Sequence, residues 1–498
     1  MERNRKGLSV WQLTMLALGT VVGGSFFLGS SIVIRSAGPS ALIAFVIGGI
    51  LVYFILTAMS EMTVAYPKSS SFRSYAEQAF GKGAGFTVGW VYWMGIVLAM
   101  SSEAIAVSIL FRGWFPGISL PLLGSIIIVS VTLLNLLGAE RLSKVESVLA
   151  MFKLLAIAAF ILIAIGFVVG FGTGGGGTPN AGLDVLRSEN WIPGGLSGIA
   201  GSMLIVMFSY SGFEVLGQTA SETADPAKTI PKAIRYTTVL LVGLYLAAMA
   251  SLFLLIPYSM VSVEVSPFVS ALSLYGLGWT GSAMNIVLIS AVLSTMLASV
   301  FGLGQMLHSL AKEGHTPVWM KDRTDIPYRG ILVSGGSMLA GLGLGMLLPS
   351  GVYLFLVSSG GFSIMFTYTI IMASHYRLRK KHGGPFSQQH GLRGFPYTSW
   401  LTIGSLIAII VSMPLIPGQG GGLVAGILFV IVFAGLYTVV KFRKRSVISA
   451  KPIVRVPARM SPFSGLAQTE VSEELTIGVH EEVTNSKELN ANDLEPRK

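Results

Sequence analysis

Three ionisable side chains lie inside long apolar stretches of this sequence. Glu103 falls in LAMSSEAIAVSIL, Glu214 falls in SYSGFEVLG, and Lys153 falls in a third apolar run. A charged side chain at the centre of a bilayer costs about 2.5–3.5 kcal/mol on insertion scales, so such residues are functional candidates by default. A change of protonation or a partner must offset that cost. The two carboxyl groups could recognise a cationic solute or could titrate.

The three residues differ in predicted depth. Glu214 lies near the centre of its span, where snorkelling reaches neither surface. Glu103 lies past the middle of its span, towards the predicted outside, where an interhelical hydrogen bond would also explain it. We expect the helix that carries Lys153 to begin between Val145 and Leu149, which would leave the ammonium close to the cytoplasm. Snorkelling therefore competes there with a functional role.

Small and polar residues interrupt two of the apolar spans. GTVVGGSFFLGSS, residues 19–31, places Gly23, Gly24 and Ser25 in the middle of the first span. The sixth span, GIAGSMLIVMFSYSGFEVLGQTASE, carries at its centre Ser209, Ser211, Gly212 and Glu214. Paired interruptions at corresponding positions are the best sequence pointer to a transporter's binding site. The alternative is tight packing of intact helices through small residues.

The composition is that of an integral membrane protein. The chain has 498 residues, of which 52% are hydrophobic and 11% are charged, against roughly 25% charged residues in soluble domains. Apolar runs of about 20 residues predict membrane-spanning helices. We count twelve of them, centred near residues 23, 51, 98, 129, 160, 210, 246, 295, 340, 363, 408 and 431. The predicted fold is therefore an all-α integral membrane protein.

The net charge of +11 follows the predicted topology. With a cytoplasmic N-terminus, thirty of the 34 Lys and Arg residues fall on the cytoplasmic side, and only Arg35, Arg112 and Arg187 fall outside. This is the positive-inside pattern, and it predicts that both termini are cytoplasmic and that no nucleic acid is a partner. Residues 1–445 hold all twelve spans, whereas residues 446–498 have the composition of a disordered cytoplasmic tail.

Patterns for catalysis and cofactor binding are absent from the sequence. It has no cysteine, which excludes disulfides, thiolate chemistry and Cys-ligated metals. It has no HExxH spacing, no Walker motif and no GxSxG context. We therefore expect no metal, no cofactor and no enzymatic activity.

One long stretch resembles the sixth-helix signature of amino-acid permeases in the amino acid-polyamine-organocation superfamily: FSYSGFEVLGQTASETADPAKTIPKAI, residues 208–234. SEMTVAYPKSSSFRSYAEQAFG, GWVYWMG and LAKEGHTP agree with it, and the resemblance spans residues 12 to about 445. The chain is most similar to the bacterial amino acid transporter family, which shares Glu103 and Lys153. The resemblance implies a LeuT-type fold of twelve helices. Helices 1–5 and 6–10 would form inverted repeats, helices 1 and 6 would be broken, and helices 11 and 12 would be peripheral.

The resemblance also implies a substrate site at the two breaks. Backbone N–H groups around Gly24 and Ser25 would bind the α-carboxylate of an amino acid, which agrees with the partial positive charge and free donors of a half-helix N-terminus. Free carbonyl groups of Val21, Phe208 and Ser211 would meet the α-ammonium. The side chain of Phe208 matches an aromatic gate, although core packing would also explain it. The predicted substrate-binding residues are Val21, Gly23, Gly24, Ser25, Glu103, Phe208, Ser209, Ser211 and Gly212.

The predicted function is secondary active import of an amino acid across the plasma membrane by alternating access, in symport with a proton. By resemblance, the Lys153 ammonium would lie where sodium-coupled relatives bind an ion, and loss of its proton would loosen the first and eighth helices. The predicted coupling and gating residues are Lys153, Glu214 and Phe208. Two alternatives remain, namely an amino acid or polyamine exchanger and an amino-acid sensor that does not transport.

Two positions depart from the pattern of the relatives. The order Gly23, Gly24, Ser25 places the hydroxyl one residue later than in most relatives, so we expect backbone N–H groups rather than that hydroxyl to bind the carboxylate. In FGLGQMLHSLA, Gln305 stands where relatives commonly carry Arg. The usual charge pairing of the inner gate is therefore in doubt.

Overall fold

The computed structural model describes residues 9–449 apart from short gaps, which are residues 67–70, 171–180, 188, 215, 217–222, 224, 263–264, 276–277, 323, 325, 347–351, 385 and 387–390. The described residues form helices, turns and loops and contain no strand, so the all-α prediction is confirmed. Eight helices in this part of the chain are long and apolar enough to cross a membrane. Three shorter helices are also apolar: Val10–Val21, Leu120–Asn135 and Gly195–Ser209.

The helices follow one another with short connections. The first nine are α1 (Val10–Val21), α2 (Gly24–Phe27), α3 (Gly29–Ala37), α4 (Ala41–Ala65), α5 (Phe72–Phe80), α6 (Lys82–Phe111), α7 (Leu120–Asn135), α8 (Ala139–Val169) and α9 (Leu183–Arg187). The remaining eight are α10 (Gly195–Ser209), α11 (Pro226–Leu255), α12 (Pro267–Leu274), α13 (Gly278–Lys312), α14 (Tyr328–Met346), α15 (Val352–His382), α16 (Tyr397–Ser412) and α17 (Gly420–Ser449). Short 3₁₀ turns occupy Gly38–Ser40, Tyr258–Met260, Val318–Met320 and Met413–Leu415.

The first span is interrupted where its glycines predict. A capping box, in which the Ser9 hydroxyl accepts from the backbone of Gln12 and the Gln12 side chain accepts from Ser9, starts α1. Val22 and Gly23 then have extended backbone angles, with φ of −72° and −139°. The chain resumes as a helix at Gly24. The interruption exposes helix-terminal N–H and C=O groups that need partners from elsewhere in the fold.

Close backbone contacts at glycine hold the long helices together. In the α6–α15 pair, a Cβ on Gly360 would lie 3.0 Å from the carbonyl oxygen of Gly95. Lipid tails are as apolar as the helices, so packing of this kind is a main source of helix association in a membrane. It holds α6, which carries Glu103, at a fixed position in the helix bundle.

The C-terminal end of the chain divides from the rest. Residues Met1–Val440 and Lys441–Lys498 form separate units by their internal contacts. The last helix, α17, continues to Ser449. From residue 450 onward, the predicted tail of residues 446–498 lies outside the described residues.

Candidate substrate-binding and coupling site

Glu103 binds the start of α2 directly. Its carboxylate accepts hydrogen bonds from the backbone N–H groups of Gly24 (2.9 Å) and Ser25 (3.0 Å). The side chain is buried, with 3% of its surface exposed. These N–H groups have no acceptor within α2, because the first N–H groups of a helix never do. A carboxylate of the protein therefore occupies the donors that the sequence assigns to a substrate carboxylate.

The glycines at this interruption leave no room for a side chain. A Cβ on Gly24 would overlap Oε2 of Glu103 and would lie 2.9 Å from Cγ2 of Val292 on α13. A Cβ on Gly23 would lie 3.2 Å from the hydroxyl of Thr295. Helices α6 and α13 therefore approach the open backbone of the first span closely, and glycine is what permits that approach.

Lys153 is fully buried and does not snorkel. Its ammonium donates to the carbonyl of Gly19, in the last turn of α1, and to the hydroxyl of Thr295 at 3.3 Å. The prediction that the helix begins between Val145 and Leu149 is wrong, because α8 begins six residues before Val145, at Ala139. The polar segment AERLSK was taken for loop, yet Ala, Glu, Arg, Leu and Lys all favour helix.

Glu103 and Lys153 thus lie at opposite ends of one interruption. The anion faces the first N–H groups of α2, and the cation faces the last carbonyl groups of α1. Both placements match the helix dipole, which favours negative charge at an N-terminus and positive charge at a C-terminus. Thr295 completes the arrangement by donating to the carbonyl of Val22 at 3.1 Å.

The sixth span is interrupted after α10, and the two interruptions touch. Residues 210–214 form a turn in which Gly212 has a φ of +109°, a conformation that favours glycine. The hydroxyl of Ser209 donates to the carbonyl of Ser25 at 2.9 Å. The hydroxyl of Thr20 donates to the carbonyl of Gly212 at 3.2 Å. The structure therefore brings together the two breaks that the sequence pairs, although most of the second half of this span lies outside the described residues.

The carbonyl groups predicted to bind an ammonium have different surroundings. The Phe208 carbonyl accepts from the hydroxyl of Ser211 at 2.7 Å and from its N–H at 3.1 Å. Val21 is buried and ends α1, and its Cα would lie 3.3 Å from a Cβ on Gly212. The Phe208 side chain is buried, with 3% of its surface exposed.

Glu214 closes the turn of the sixth span and links it to α15. Its carboxylate accepts from the N–H of Gly212 at 2.8 Å and from the hydroxyl of Tyr368. The ring of Tyr368 stacks on Phe213, with centroids 5.0 Å apart. Among the described residues, no hydrogen bond or ion pair joins Glu214 to Glu103 or Lys153.

Three residues of this region escape the sequence prediction. They are Thr295, whose hydroxyl bonds both Lys153 and the first break, Tyr245, whose hydroxyl donates to the Ser209 carbonyl at 3.1 Å, and Tyr368. Their only sequence signal is a hydroxyl inside an apolar run. Such hydroxyl groups often bond a carbonyl of their own helix, so the signal is weak.

The charge pairing that Gln305 puts in doubt has a counterpart elsewhere. Gln305 is exposed, and no described residue bonds its side chain. Just beyond the end of α13, the Glu313 carboxylate instead accepts two hydrogen bonds from the guanidinium of Arg73 on α5. An ion pair therefore joins α5 to the end of α13 at the side that the charge distribution predicts to be cytoplasmic.

Comparison with known proteins identifies the family. The Amino acid permease family profile matches residues 12–453. The chain belongs to the amino acid permease family. This permease is 31% identical over 448 residues to the gamma-aminobutyric acid permease of Bacillus subtilis (strain 168), covering 89% of this chain and 94% of that protein. It is 30% identical over 423 residues to the aromatic amino acid transport protein AroP of Shigella flexneri, covering 84% and 92%.

The family match confirms three predictions made from the sequence. The chain is an amino acid permease, it is a multi-pass membrane protein, and it is not an enzyme, because its relatives are named as permeases and transport proteins. A solved structure, that of the Eremococcus coleocola manganese transporter with an aromatic bis-isothiourea compound, is similar to the permease with a TM-score of 0.54 at 14% identity. It covers 88% of this chain and 97% of the transporter chain. At that identity the similarity establishes a transporter fold only.

Proposed function

We propose that the permease imports an amino acid across the plasma membrane by alternating access, in symport with a proton. The observation that carries this proposal is the pairing of Glu103 and Lys153 at opposite ends of the first interruption. Both groups can gain or lose a proton, and both bind backbone groups that a change of conformation would separate. A single proton transfer can therefore change the contacts of three helices, α1, α6 and α8.

The proposal includes a full topology. Twelve helices would cross the membrane, with the first ten as two inverted five-helix repeats, the last two peripheral and both termini cytoplasmic. Residues 1–445 would form the transport domain and residues 446–498 a disordered tail. The order of the described helices and the matched interruptions of spans one and six support this arrangement.

The substrate carboxylate would bind the N–H groups of Gly24 and Ser25 after Glu103 has left them. Two carboxylates about 4 Å apart repel by about 4 kcal/mol at an effective dielectric constant near 20. Both anions therefore cannot share the two donors cheaply. Protonation of Glu103 would remove this repulsion and release the donors, which gives a chemical reason for a proton to enter together with an amino acid.

The substrate ammonium would bind carbonyl groups at the same place. We propose those of Val21, Phe208 and Ser211, where the hydroxyl of Ser211 now bonds the Phe208 carbonyl and would yield it to the substrate. The Phe208 side chain would act as a gate above the substrate. The surrounding wall would comprise Gly23, Ser209 and Gly212.

Lys153 and Glu214 would couple this site to the motion of the helices. Loss of the Lys153 proton would remove the positive charge that faces the last carbonyl groups of α1, and so would weaken the junction of α1, α8 and α13. Glu214 would transmit movement of the sixth span to α15 through Tyr368.

One experiment tests transport, substrate and coupling together. Uptake is measured in proteoliposomes with a panel of amino acids, including gamma-aminobutyric acid and aromatic amino acids, with and without an imposed pH gradient. We expect concentrative uptake of at least one amino acid when the outside is acidic. Uptake that requires preloaded internal solute would instead identify an exchanger. Ligand binding without uptake or counterflow would identify a sensor.

A further inference from the structure

A second cavity lies apart from the two interruptions. It has a volume of about 400 Å³ and is formed by α4, the first turns of α11 and the segment between α15 and α16. Its wall combines aromatic rings, a buried hydroxyl and two guanidinium groups, from Tyr53, Phe54, Ser60, Arg235 and Arg393. No residue of the transport proposal lines it. Its ligand is therefore a separate question from the transported solute.

One end of this cavity carries positive charge without a matching anion. Arg235 and Arg393 are exposed, and neither pairs with a carboxylate among the described residues. The Ser60 hydroxyl is buried, with 3% of the residue exposed, and has no hydrogen-bond partner in the described part of the chain. A buried polar group without a partner is costly. Two guanidinium groups beside a free hydroxyl donor suit a phosphate group, which offers several charged acceptor oxygens.

The other end of the cavity is apolar and faces the membrane. Tyr53 and Phe54 lie on α4 about two helical turns before Ser60, which places them roughly 10 Å further along the helix axis. Tyr53 is 42% exposed. The cavity therefore passes from a cationic end to an aromatic end within a membrane-spanning helix, and this matches the length and polarity of a phospholipid's headgroup region and upper acyl chain.

The cavity lies at the side of the molecule that carries most of the positive charge. It is bounded by the C-terminal half of α4, the start of α11 and the segment after α15, whose last turn contains Arg379, Lys380 and Lys381. By the positive-inside rule this is the cytoplasmic side. Anionic lipids of the cytoplasmic leaflet attract basic residues there, and basic pockets between helices bind their headgroups.

We propose that this cavity binds an anionic phospholipid of the cytoplasmic leaflet. Arg235 and Arg393 contact its phosphate, Ser60 donates a hydrogen bond to a phosphate oxygen, and an acyl chain lies along Tyr53 and Phe54. The shared chemistry is that of a phosphate anion. The apolar end and the membrane position favour a lipid headgroup over free phosphate.

The bound lipid would hold the segment between α15 and α16 against α4. Leu392, next to Arg393, donates its N–H to the carboxylate of Glu61 at 3.0 Å, and Glu61 follows Ser60 on α4. His375 and Arg379 of α15 contact the same carboxylate at 2.8 and 3.2 Å. A phosphate between Arg235 and Arg393 would add a further link between elements that Glu61 already joins.

The test measures lipid affinity and thermal stability of the purified full chain in neutral detergent. The chain is titrated with phosphatidylglycerol, with phosphatidylcholine of the same acyl chains, and with inorganic phosphate. We expect phosphatidylglycerol alone to raise the midpoint of thermal unfolding. In an Arg235→Gln/Arg393→Gln variant, phosphatidylglycerol should bind about thirtyfold more weakly, since each basic residue contributes about 1 kcal/mol at the membrane surface.

A matched variant removes two positive charges from the same side of the molecule but outside the cavity. Lys380→Gln/Lys381→Gln changes two exposed residues that do not line it, and we expect its affinity to stay within about twofold of the original chain. An equal loss in both variants would attribute binding to the overall surface charge. Unchanged affinity in the arginine variant, or equal stabilisation by phosphatidylcholine, would overturn the proposal. Equal stabilisation by inorganic phosphate would overturn the assignment to a lipid.

Discussion

The two interrupted spans satisfy their free backbone groups by different means. In the first span the partners are ionisable side chains of distant helices, Glu103 from α6 and Lys153 from α8. In the sixth span Ser211 and Glu214 bond backbone groups within three residues of themselves. A proton gained or lost at the first break therefore alters contacts between helices. At the sixth break, the protein's own turn supplies most of the stabilisation.

This difference predicts a division of roles between the breaks. Substrate binding and proton coupling should depend on the first break, since its partners can dissociate only when whole helices or their charges change. The sixth break should behave as a preformed hinge whose changes affect stability more than coupling. Four substitutions, taken from the largest expected effect to the smallest, sharpen or contradict this comparison.

Gly24→Pro should abolish both substrate binding and transport. The proline removes the N–H that donates to Glu103, and its added carbon atoms would overlap Oε2 of that residue and crowd Val292. Binding of the substrate found in the uptake panel is measured by calorimetry on the purified protein. Gly243→Ala is the control, because a Cβ there meets nothing within 4 Å. Unchanged binding in Gly24→Pro would count heavily against this site.

Lys153→Met should abolish concentrative uptake and leave some substrate binding. Methionine preserves most of the buried volume but supplies no charge to the last turn of α1 and no donor to Thr295. Uptake into proteoliposomes with an imposed pH gradient is compared with equilibrium binding. Lys232→Met, at an exposed position on α11, is the matched control. Full pH-dependent accumulation in Lys153→Met would refute coupling through this residue.

The sequence identifies the breaks and the buried charges but not their partners. Gly23, Gly24 and Gly212 mark the interruptions because glycine relaxes the backbone, and Glu103 and Lys153 are evident because a charge in an apolar run is costly. Glu103, however, meets a backbone 79 residues away, and Lys153 meets one 134 residues away. Such pairings depend on how the helices pack, and no local pattern encodes them.

Some features are hidden for local reasons instead. The start of α8 was misplaced because charged residues that favour helix resemble a loop between membrane spans. Thr295 and Tyr368 carry hydroxyl groups in apolar runs, where the same residue types usually bond their own helix. The exchange of partners at the Gly24 donors, in which Glu103 stands where a substrate carboxylate is expected, requires the geometry of both helices.

Glu103→Gln should retain substrate binding but remove its dependence on pH. The amide has the shape of the protonated acid and carries no charge, so the donors of Gly24 and Ser25 are free of a competing anion at every pH. In the original chain, affinity should fall as the pH rises, by at most about tenfold for each pH unit when one proton is linked to binding. Affinity is measured across a pH series for both proteins. A variant whose affinity still falls with rising pH would place the linked proton elsewhere.

Tyr368→Phe should have the smallest effect and should separate the two breaks. It removes the hydrogen bond from Tyr368 to Glu214 and leaves the stacked ring on Phe213 in place. A hydrogen bond to a charged group contributes about 1.5–3 kcal/mol, so the unfolding temperature should fall by a few degrees. Tyr397→Phe is the control, because Tyr397 is 81% exposed. If the sixth break is a preformed hinge, the pH dependence of binding stays unchanged in Tyr368→Phe. A shift as large as that in Glu103→Gln would mean that Glu214 takes part in coupling and that the two breaks share the role assigned here to the first.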